Sequence, residues 1–357
     1  MESKVTVRNA FCIVVILLIS ANFITGLPAN LGQGTWISIL LSLIPIFPLL
    51  VIYARINKLM PQKNLFEVAE CVFGKAVSRC MALLYTVYAL VIAAFFVNRF
   101  AFFIHLTSLY KTPLLVISLV LLIPAVYLAK SGVRTIGKYS FLVFMVLVFG
   151  AIFLLFGSLR YMEFEKLLPV FEGTVADVIS ETFGFVSYPF GAVVVLLILF
   201  SFSERTERVY IGGVIAAVLF TAVITVAIVC MMGLNTVENS LFPVYKSVSI
   251  IRIGRFIQRF ESMFAFIVIL TGIIKISVYL LSASKGAMMV FKGSRVRLSV
   301  VLALAGVAVM LSVVLFDGNT KVFEVFKLYN VWAIPFYAGV PVLLWVGAEV
   351  RARRLVL

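Results

Sequence analysis

The sequence predicts an all-α integral membrane protein with about ten membrane-spanning helices. Hydrophobic residues make up 63% of the 357 positions and charged residues only 13%, whereas soluble domains are about half apolar and a quarter charged. The apolar residues form continuous runs of about 20 positions, the length that a helix needs to cross a bilayer. Continuous runs also argue against a membrane barrel, whose strands alternate apolar and polar residues.

Ten segments have the length and composition of membrane-spanning helices, and short polar stretches separate them. The fourth is the weakest candidate, because it is short and contains Pro124. In chain order, the predicted spans are residues 7–29, 34–54, 81–110, 113–129, 139–158, 174–202, 209–234, 262–281, 298–316 and 331–350.

Lys and Arg are distributed unequally over the polar segments. The chain has 30 Lys and Arg against 15 Asp and Glu, a net charge of +15. If the N-terminus is cytoplasmic, the inner segments carry about twice as many Lys and Arg as the outer ones, which is the bias that orients membrane proteins. Ten spans then place the C-terminus in the cytoplasm too. We expect this charge to face the bilayer's anionic lipids rather than nucleic acid.

Two predicted outer segments are distinctive. Residues 163–181 contain five acidic side chains, of which Glu181 is the last. Residues 235–260 end in an alternation of apolar and basic residues, which predicts an amphipathic helix at the membrane interface; an ordinary solvated loop is the alternative.

Cys12 and Cys230 lie inside apolar runs, where we expect them to be buried free thiols.

Helix-interrupting residues occur in the first and the sixth segment. Irregular backbone inside a bilayer usually lines a cavity, because unsatisfied backbone groups are costly in hydrocarbon. Breaks in the first helix of two five-helix halves therefore predict an inverted-repeat transporter with a site near the midplane. Its half-repeats would be residues 7–158 and 174–350 of a single domain, 1–357. Freed amides can bind a carboxylate and freed carbonyls an ammonium, and an amino acid carries both groups.

The candidate substrate-binding residues follow from these two breaks. Ordinary kinks are the alternative interpretation, and Pro28 could simply mark the outer end of the first helix. Tyr88 of the third span is added because it could line the same cavity, although aromatic packing also explains it. The predicted substrate-binding residues are Asn22, Thr25, Gly26, Tyr88, Gly184, Ser187, Tyr188, Pro189 and Gly191.

Two cations lie within predicted spans. Lys275 is roughly 18 Å along a helix from the outer end of the eighth segment, which is too deep for easy snorkelling. It could occupy the position of a coupling sodium, carry a proton, or act as a structural partner of another helix. We include Ser277 with it as a candidate for ion or proton coupling. Arg99, nearer the outer end of the third span, could pair with an acid or snorkel.

Enzymatic chemistry is not indicated. The chain has one histidine, His105, and shows no Ser/His/Asp set, no phosphate-binding glycine loop and no cluster of metal ligands. We therefore predict no catalytic residues, no cofactor and no bound metal.

Several short motifs occur in the order seen in one protein family. They are IGRFIQRFES at 253–262, KISVY at 275–279, LP at 27–28 followed by GQGTWIS at 32–38, TP at 112–113, LLPV at 167–170 and YPFG at 188–191. With ten spans, this order resembles the spore germination permeases, the B subunits of nutrient germinant receptors in the amino acid–polyamine–organocation superfamily. The resemblance covers nearly the whole chain. Members usually have Gly-x-Gly where this chain has Ala21 and Phe23, and often an acid in place of Ala192.

The resemblance implies a five-plus-five inverted-repeat fold of the LeuT type, with helices 1 and 6 interrupted. It also implies nutrient sensing in the inner membrane of the endospore, with A-type and C-type receptor subunits as partners. We expect a small nutrient, an amino acid, to bind between helices 1, 3, 6 and 8 and to trigger germination. A proton- or sodium-coupled amino acid permease and an ion-conducting germination subunit are the alternatives.

Overall fold

The computed structural model consists largely of long helices. It describes residues 5–25, 32–169, 174–200, 206–251, 260–291, 293, 296–316 and 329–356. Over these residues, ten helices are long and apolar enough to cross a bilayer, which confirms the predicted number. We number them in chain order as helices 1 to 10: Val7–Thr25, Gly32–Leu59, Lys75–Thr107, Leu114–Ser131, Val133–Tyr161, Val175–Leu199, Glu207–Met232, Phe260–Val290, Leu298–Leu315 and Tyr329–Ala352.

The predicted spans lie within or close to the observed helices. The largest differences are at helix 8, which continues to Val290 instead of ending at 281, and at the starts of helices 3 and 5, which are Lys75 and Val133 instead of residues 81 and 139. Hydropathy detects only the part of a helix that suits hydrocarbon, whereas a helix can continue into the polar interface with charged side chains. Pro124 lies inside helix 4 without ending it.

Helix 6 is interrupted, as predicted. Its first part, Val175–Ser187, ends before Tyr188, whose backbone is extended at φ −144° and ψ 125°. The chain continues as the 3₁₀-helix Phe190–Val195 and one α-helical turn, Leu196–Leu199. Pro189 lies at the break, where it supplies no amide hydrogen for a continuing α-helix.

Helix 1 is regular from Val7 to Thr25, so the prediction that Asn22 interrupts it is wrong. Asn22 fits in the helix because its side-chain Nδ2 donates a hydrogen bond to Thr221 Oγ1 of helix 7 at 2.8 Å. Thr25, which belongs to the same predicted interruption, is the last residue of this helix. Gly26 and Pro28, which complete it, lie outside the described residues.

Helices 1, 6 and 8 form the centre of the bundle. In the apolar stretch of each, 83% of the residues are buried, against 17% in helix 5 and 28% in helices 9 and 10. Helix 8 contacts helices 1, 3, 4, 5 and 9. Gly272 allows helix 3 to approach closely, since a Cβ at this position would lie 2.6 Å from the ring of Phe100. The predicted site between helices 1, 3, 6 and 8 is therefore in the most buried region.

Short helices connect some of the spans. Leu65–Phe73 lies between helices 2 and 3 and begins with a capping box, in which Asn64 and Glu67 exchange side-chain to backbone hydrogen bonds. The predicted interfacial segment contains Leu234–Glu238 and Pro243–Ile250. We call Pro243–Ile250 the cap helix. The basic residues of the predicted amphipathic pattern, 252–259, lie outside the described part of the chain.

Candidate functional site

Lys275 connects helix 8 to helix 1 in the middle of the bundle. Its side chain is fully buried, and its Nζ donates a hydrogen bond to the backbone oxygen of Leu17 at 2.7 Å. The Nζ atom lies 4.0 Å from the ring centroid of Phe96 and 5.8 Å from that of Tyr188. Both rings can stabilise a cation through their negative faces. Among the described residues, no carboxylate lies within ion-pair distance of Lys275.

The break in helix 6 lies next to this ammonium. The ring of Tyr188 stacks on that of Phe96, with centroids 6.3 Å apart and planes at 18°. The structure thus brings together Tyr188 and Lys275, which the sequence analysis selected for different reasons.

Two glycines flank the break and differ in what they allow. A Cβ at Gly191 would lie 2.9 Å from the backbone oxygen of Val186 and 3.1 Å from the ring of Tyr337. Only glycine fits there without displacing backbone. At Gly184, a Cβ would meet nothing closer than Asn330 Nδ2 at 4.0 Å. The break therefore depends on Gly191 more than on Gly184.

Helix 10 contributes a π-helical turn, Pro335–Gly339, that packs against the break. The hydroxyl of Tyr337 lies 2.9 Å from Ser187 Oγ in helix 6. The hydroxyl of Tyr85 in helix 3 donates to the backbone oxygen of Phe336 at 2.7 Å, and that of Tyr53 in helix 2 donates to the backbone oxygen of Tyr337. Single π turns often occur at functional sites. This one joins helices 2, 3 and 6.

Tyr88 belongs to the aromatic cluster between helices 3 and 10. Its hydroxyl lies 3.0 Å from that of Tyr329, and its ring stacks on Phe336 with centroids 4.7 Å apart. Tyr329 in turn packs edge-on against Tyr188, with ring centroids 5.9 Å apart. Tyr88 therefore reaches the helix 6 break only through Tyr329. It packs among aromatic rings, as one interpretation of the sequence expected, and it also lies close to the site, as the other expected.

Aromatic side chains fill most of the predicted site. The cavity that remains beside Tyr188 has a volume of about 20 Å³ and an entirely apolar lining. A single water needs roughly 10–15 Å³, so an amino acid does not fit in this conformation. The lining residues are Val91, Ile92, Phe95, Phe96, Tyr188, Phe316, Tyr329 and Trp332.

Of the predicted site residues that the structure describes, Tyr188 alone lines this cavity, and the side chains of Asn22 and Ser277 are directed elsewhere. Asn22 is directed to Thr221 in helix 7 and lines a separate void of about 10 Å³. Ser277 is fully buried, but its hydroxyl donates to Ile273 O of its own helix at 2.5 Å. Serine hydroxyls in membrane helices commonly bond back in this way. The described geometry therefore assigns Ser277 no contact with Lys275 or with the break.

The structure also contains polar residues that the sequence analysis placed differently. Glu181 was counted with the acidic outer segment although it also falls in the predicted sixth span; it lies in helix 6, where it is buried and its Oε1 accepts a hydrogen bond from Thr35 at 3.1 Å. Arg99 is also buried, which argues against snorkelling, and its guanidinium donates to Asn98 Oδ1. Phe96 was overlooked, because a phenylalanine in an apolar helix gives no signal of contact with a cation.

Comparison with known proteins agrees with this architecture. The chain resembles the nucleobase-cation-symport-1 family transporter Mhp1 in a closed conformation with bromovinylhydantoin bound, at a TM-score of 0.69 and 14% identity over 95% of this chain and 78% of Mhp1. It also resembles MhsT in complex with L-phenylalanine, at a TM-score of 0.65 and 14% identity over 98% and 99% of the two chains. The fold is therefore that of the LeuT-type membrane transporters.

Within this class, the sequence gives a more specific assignment. The profile of the spore germination protein family matches residues 4–321, and the chain belongs to that family. It is 23% identical to spore germination protein KB of Bacillus subtilis (strain 168) over 303 residues, which cover 82% of this chain and 80% of that protein. The family and the fold neighbours are transporter-like membrane proteins and not enzymes.

Proposed function

We propose that this chain is the membrane subunit of a spore nutrient-germinant receptor, which binds a small nutrient and thereby triggers germination. The observation that supports this best is the interrupted helix 6, packed against helix 1 and the buried ammonium of Lys275. An amino acid fits the chemistry of such a break, since its carboxylate can meet free amides or Lys275. MhsT, which shares the fold, is seen in complex with L-phenylalanine.

Binding at this site requires a conformational change. The present cavity of about 20 Å³ does not hold a nutrient, so Tyr188, Phe96 or their neighbours in helix 10 have to move. A ligand that binds only the opened conformation shifts the population towards it, and this shift is the signal that a receptor can pass to its partners. A-type and C-type subunits in the spore inner membrane are the partners that we propose.

Lys275 has a specific role in this proposal. It joins helices 1 and 8 by the bond from Nζ to Leu17 O, and we assign to it the position that a coupling sodium occupies in related transporters. A fixed ammonium supplies the positive charge between the two helices without an ion from solution. Nutrient binding would then not depend on sodium.

A test of the site uses substitution of glycines in spores whose own copy of the gene is deleted. Gly191→Val places a side chain against the oxygen of Val186 and the ring of Tyr337, so nutrient-triggered germination should be lost. Gly306→Ala in helix 9 is the control, because a Cβ there meets nothing within 4 Å. The measurement is germination after nutrient addition, with immunodetection of the chain in spore membranes. A normal response of Gly191→Val spores with normal protein levels would place the site elsewhere.

An amino acid permease is the second candidate, favoured by the resemblance to symporters such as a Na⁺-coupled sialic acid symporter (TM-score 0.66, 15% identity, covering 95% of this chain and 79% of that protein). Uptake of labelled amino acids into vesicles that contain this chain alone would support the permease. Loss of a nutrient response on deletion, without uptake in vesicles, would support the receptor.

A further inference from the structure

A larger cavity lies away from the helix 6 break, between helices 5 and 7. Its volume is about 60 Å³, three times that of the cavity beside Tyr188. One wall is a continuous stripe on helix 5 that includes Gly150, Ala151 and Leu154, and helix 7 forms the opposite wall with Ile224 and Ala227. Helices 1 and 8 close the inner side, and the cap helix closes one end with Val244, Ser247 and Val248.

The chemistry of the lining excludes a polar occupant. Among the described lining residues, the polar side chains are Ser158 and Ser247, and each hydroxyl donates to a carbonyl of its own helix, Leu155 O and Val244 O, at 2.8 Å. The rest of the described lining is apolar, so the cavity offers few of the two to four hydrogen-bond partners that hold ordered waters. The group that fits is therefore a hydrocarbon.

The mouth of the cavity opens sideways, towards the bilayer. Ala151 and Leu154 on helix 5 and Ile224 on helix 7 are only partly buried, although all three line the cavity. Their neighbours Phe149 and Phe156 are each 72% exposed on the outer surface of helix 5, as expected for side chains in contact with lipid. A whole helix is about 10 Å wide and does not fit such a cleft, whereas a single alkyl chain does.

Two exposed basic residues lie close in sequence to the lining at the end of the cavity that the cap helix closes. Arg160 follows the lining residue Ser158 by two positions, and Lys246 precedes the lining residue Ser247; both are exposed. Among the described acids of the adjoining segments, Glu163 pairs with Lys166 at 3.1 Å, and Glu261 lies at the start of helix 8. Cations beside an apolar cleft suit a molecule with an anionic head and a hydrocarbon tail.

We propose that this cavity binds one acyl chain of an anionic phospholipid whose headgroup is held by Arg160 and Lys246. The acyl chain would contact helix 1 directly, since Phe23 forms part of the inner wall of the cavity. Phe23 in turn packs edge-on against Phe264 of helix 8, with ring centroids 5.3 Å apart. The bound lipid thereby becomes a structural element between helix 5 and the centre of the bundle.

The test measures the lipid that stays bound to the full-length protein purified in a mild detergent. Ala151→Phe and Ala227→Phe each place a ring in the cavity, and Ile152→Phe adds a ring next to Ala151, at a side chain that is exposed and outside the cavity lining. Phosphatidylglycerol per protein is quantified by mass spectrometry of the extracted lipid. We expect a loss of about tenfold in the two cavity variants, the effect of excluding roughly two methylene groups, and no change in Ile152→Phe.

The headgroup is tested by the double variant Arg160→Gln and Lys246→Gln. It should retain lipid but lose the preference for phosphatidylglycerol over phosphatidylethanolamine when both are supplied equally. Size-exclusion chromatography and circular dichroism identify any variant that does not fold. If one of the two cavity variants does not fold, the other still tests the proposal. Wild-type protein without bound lipid, or equal retention in folded Ala151→Phe or Ala227→Phe, overturns the proposal. Unchanged headgroup preference in the double variant overturns the assignment of the two cations.

Discussion

The ammonium of Lys275 lies in the membrane interior between one backbone oxygen and the face of Phe96. A desolvated cation on an aromatic face gains about 2 kcal/mol, and a hydrogen bond to a charged group about 1.5–3 kcal/mol. Burial of the charge itself costs several kcal/mol, and replacing buried ions by apolar groups is often neutral or stabilising. These contacts do little more than offset the cost of burying the charge, so stability alone does not explain a lysine at position 275. This supports the proposed functional role.

Lys275→Met tests this directly. Methionine keeps the length and the packing on Phe96 but removes the charge, so the melting temperature of the purified protein should be unchanged or higher, while nutrient-triggered germination is lost. Thermal unfolding in detergent and germination of complemented spores are the two measurements. Lys285→Met, at a half-buried lysine of the same helix, is the control. A large drop in melting temperature would indicate a structural role, and an unimpaired response would rule out the proposed one.

The π turn of helix 10 is held by hydroxyl groups from other helices. The carbonyls of Phe336 and Tyr337 accept hydrogen bonds from Tyr85 and Tyr53, and the side chain of Tyr337 reaches Ser187 at the break. A π turn holds one extra residue in a helix, so conversion to regular α-helix would rotate the residues that follow it. Helix 10 is thus suited to communicate a movement at the break to helices 2 and 3.

Tyr85→Phe should destabilise this turn. Removing the hydroxyl leaves the oxygen of Phe336 without that donor, which we expect to lower the free energy of unfolding by about 1–2 kcal/mol. Chemical unfolding of purified protein measures the change. Tyr127→Phe on helix 4, where the side chain is 66% exposed, is the matched control. Equal stabilities of the two variants would show that the Tyr85 hydroxyl contributes nothing to the turn.

For the whole molecule, the charge bias predicts which loops face the cytoplasm. Ser131, the last residue of helix 4, is on the predicted inner side, and Asn239, before the cap helix, is on the predicted outer side; both are exposed. With Cys71 and Cys80 replaced by serine, Asn239→Cys should react with a membrane-impermeant maleimide in intact cells, and Ser131→Cys only after permeabilisation. The reverse pattern would invert the proposed orientation.

The sequence predicts much of this fold, because long apolar runs can hardly be anything other than spans, and the break of helix 6 follows from Pro189 and its neighbouring glycine. The same reasoning fails at Asn22, since a polar side chain does not interrupt a helix when another helix supplies its partner. It also misses the π turn of helix 10, because Pro335 and Gly339 are common in regular membrane helices. The contact of Lys275 with Phe96 depends on how helices 3 and 8 pack, which no local pattern encodes.

The aromatic rings that fill the space beside Tyr188 have a consequence for sensitivity. A ligand has to compete with these rings for the same volume, so its apparent dissociation constant is the intrinsic value divided by the fraction of molecules that are open. If about 1% of molecules are open at rest, the apparent affinity is about 100-fold weaker than the intrinsic one. In a dormant spore, such internal competition would set a concentration threshold, so that traces of nutrient leave the cell at rest.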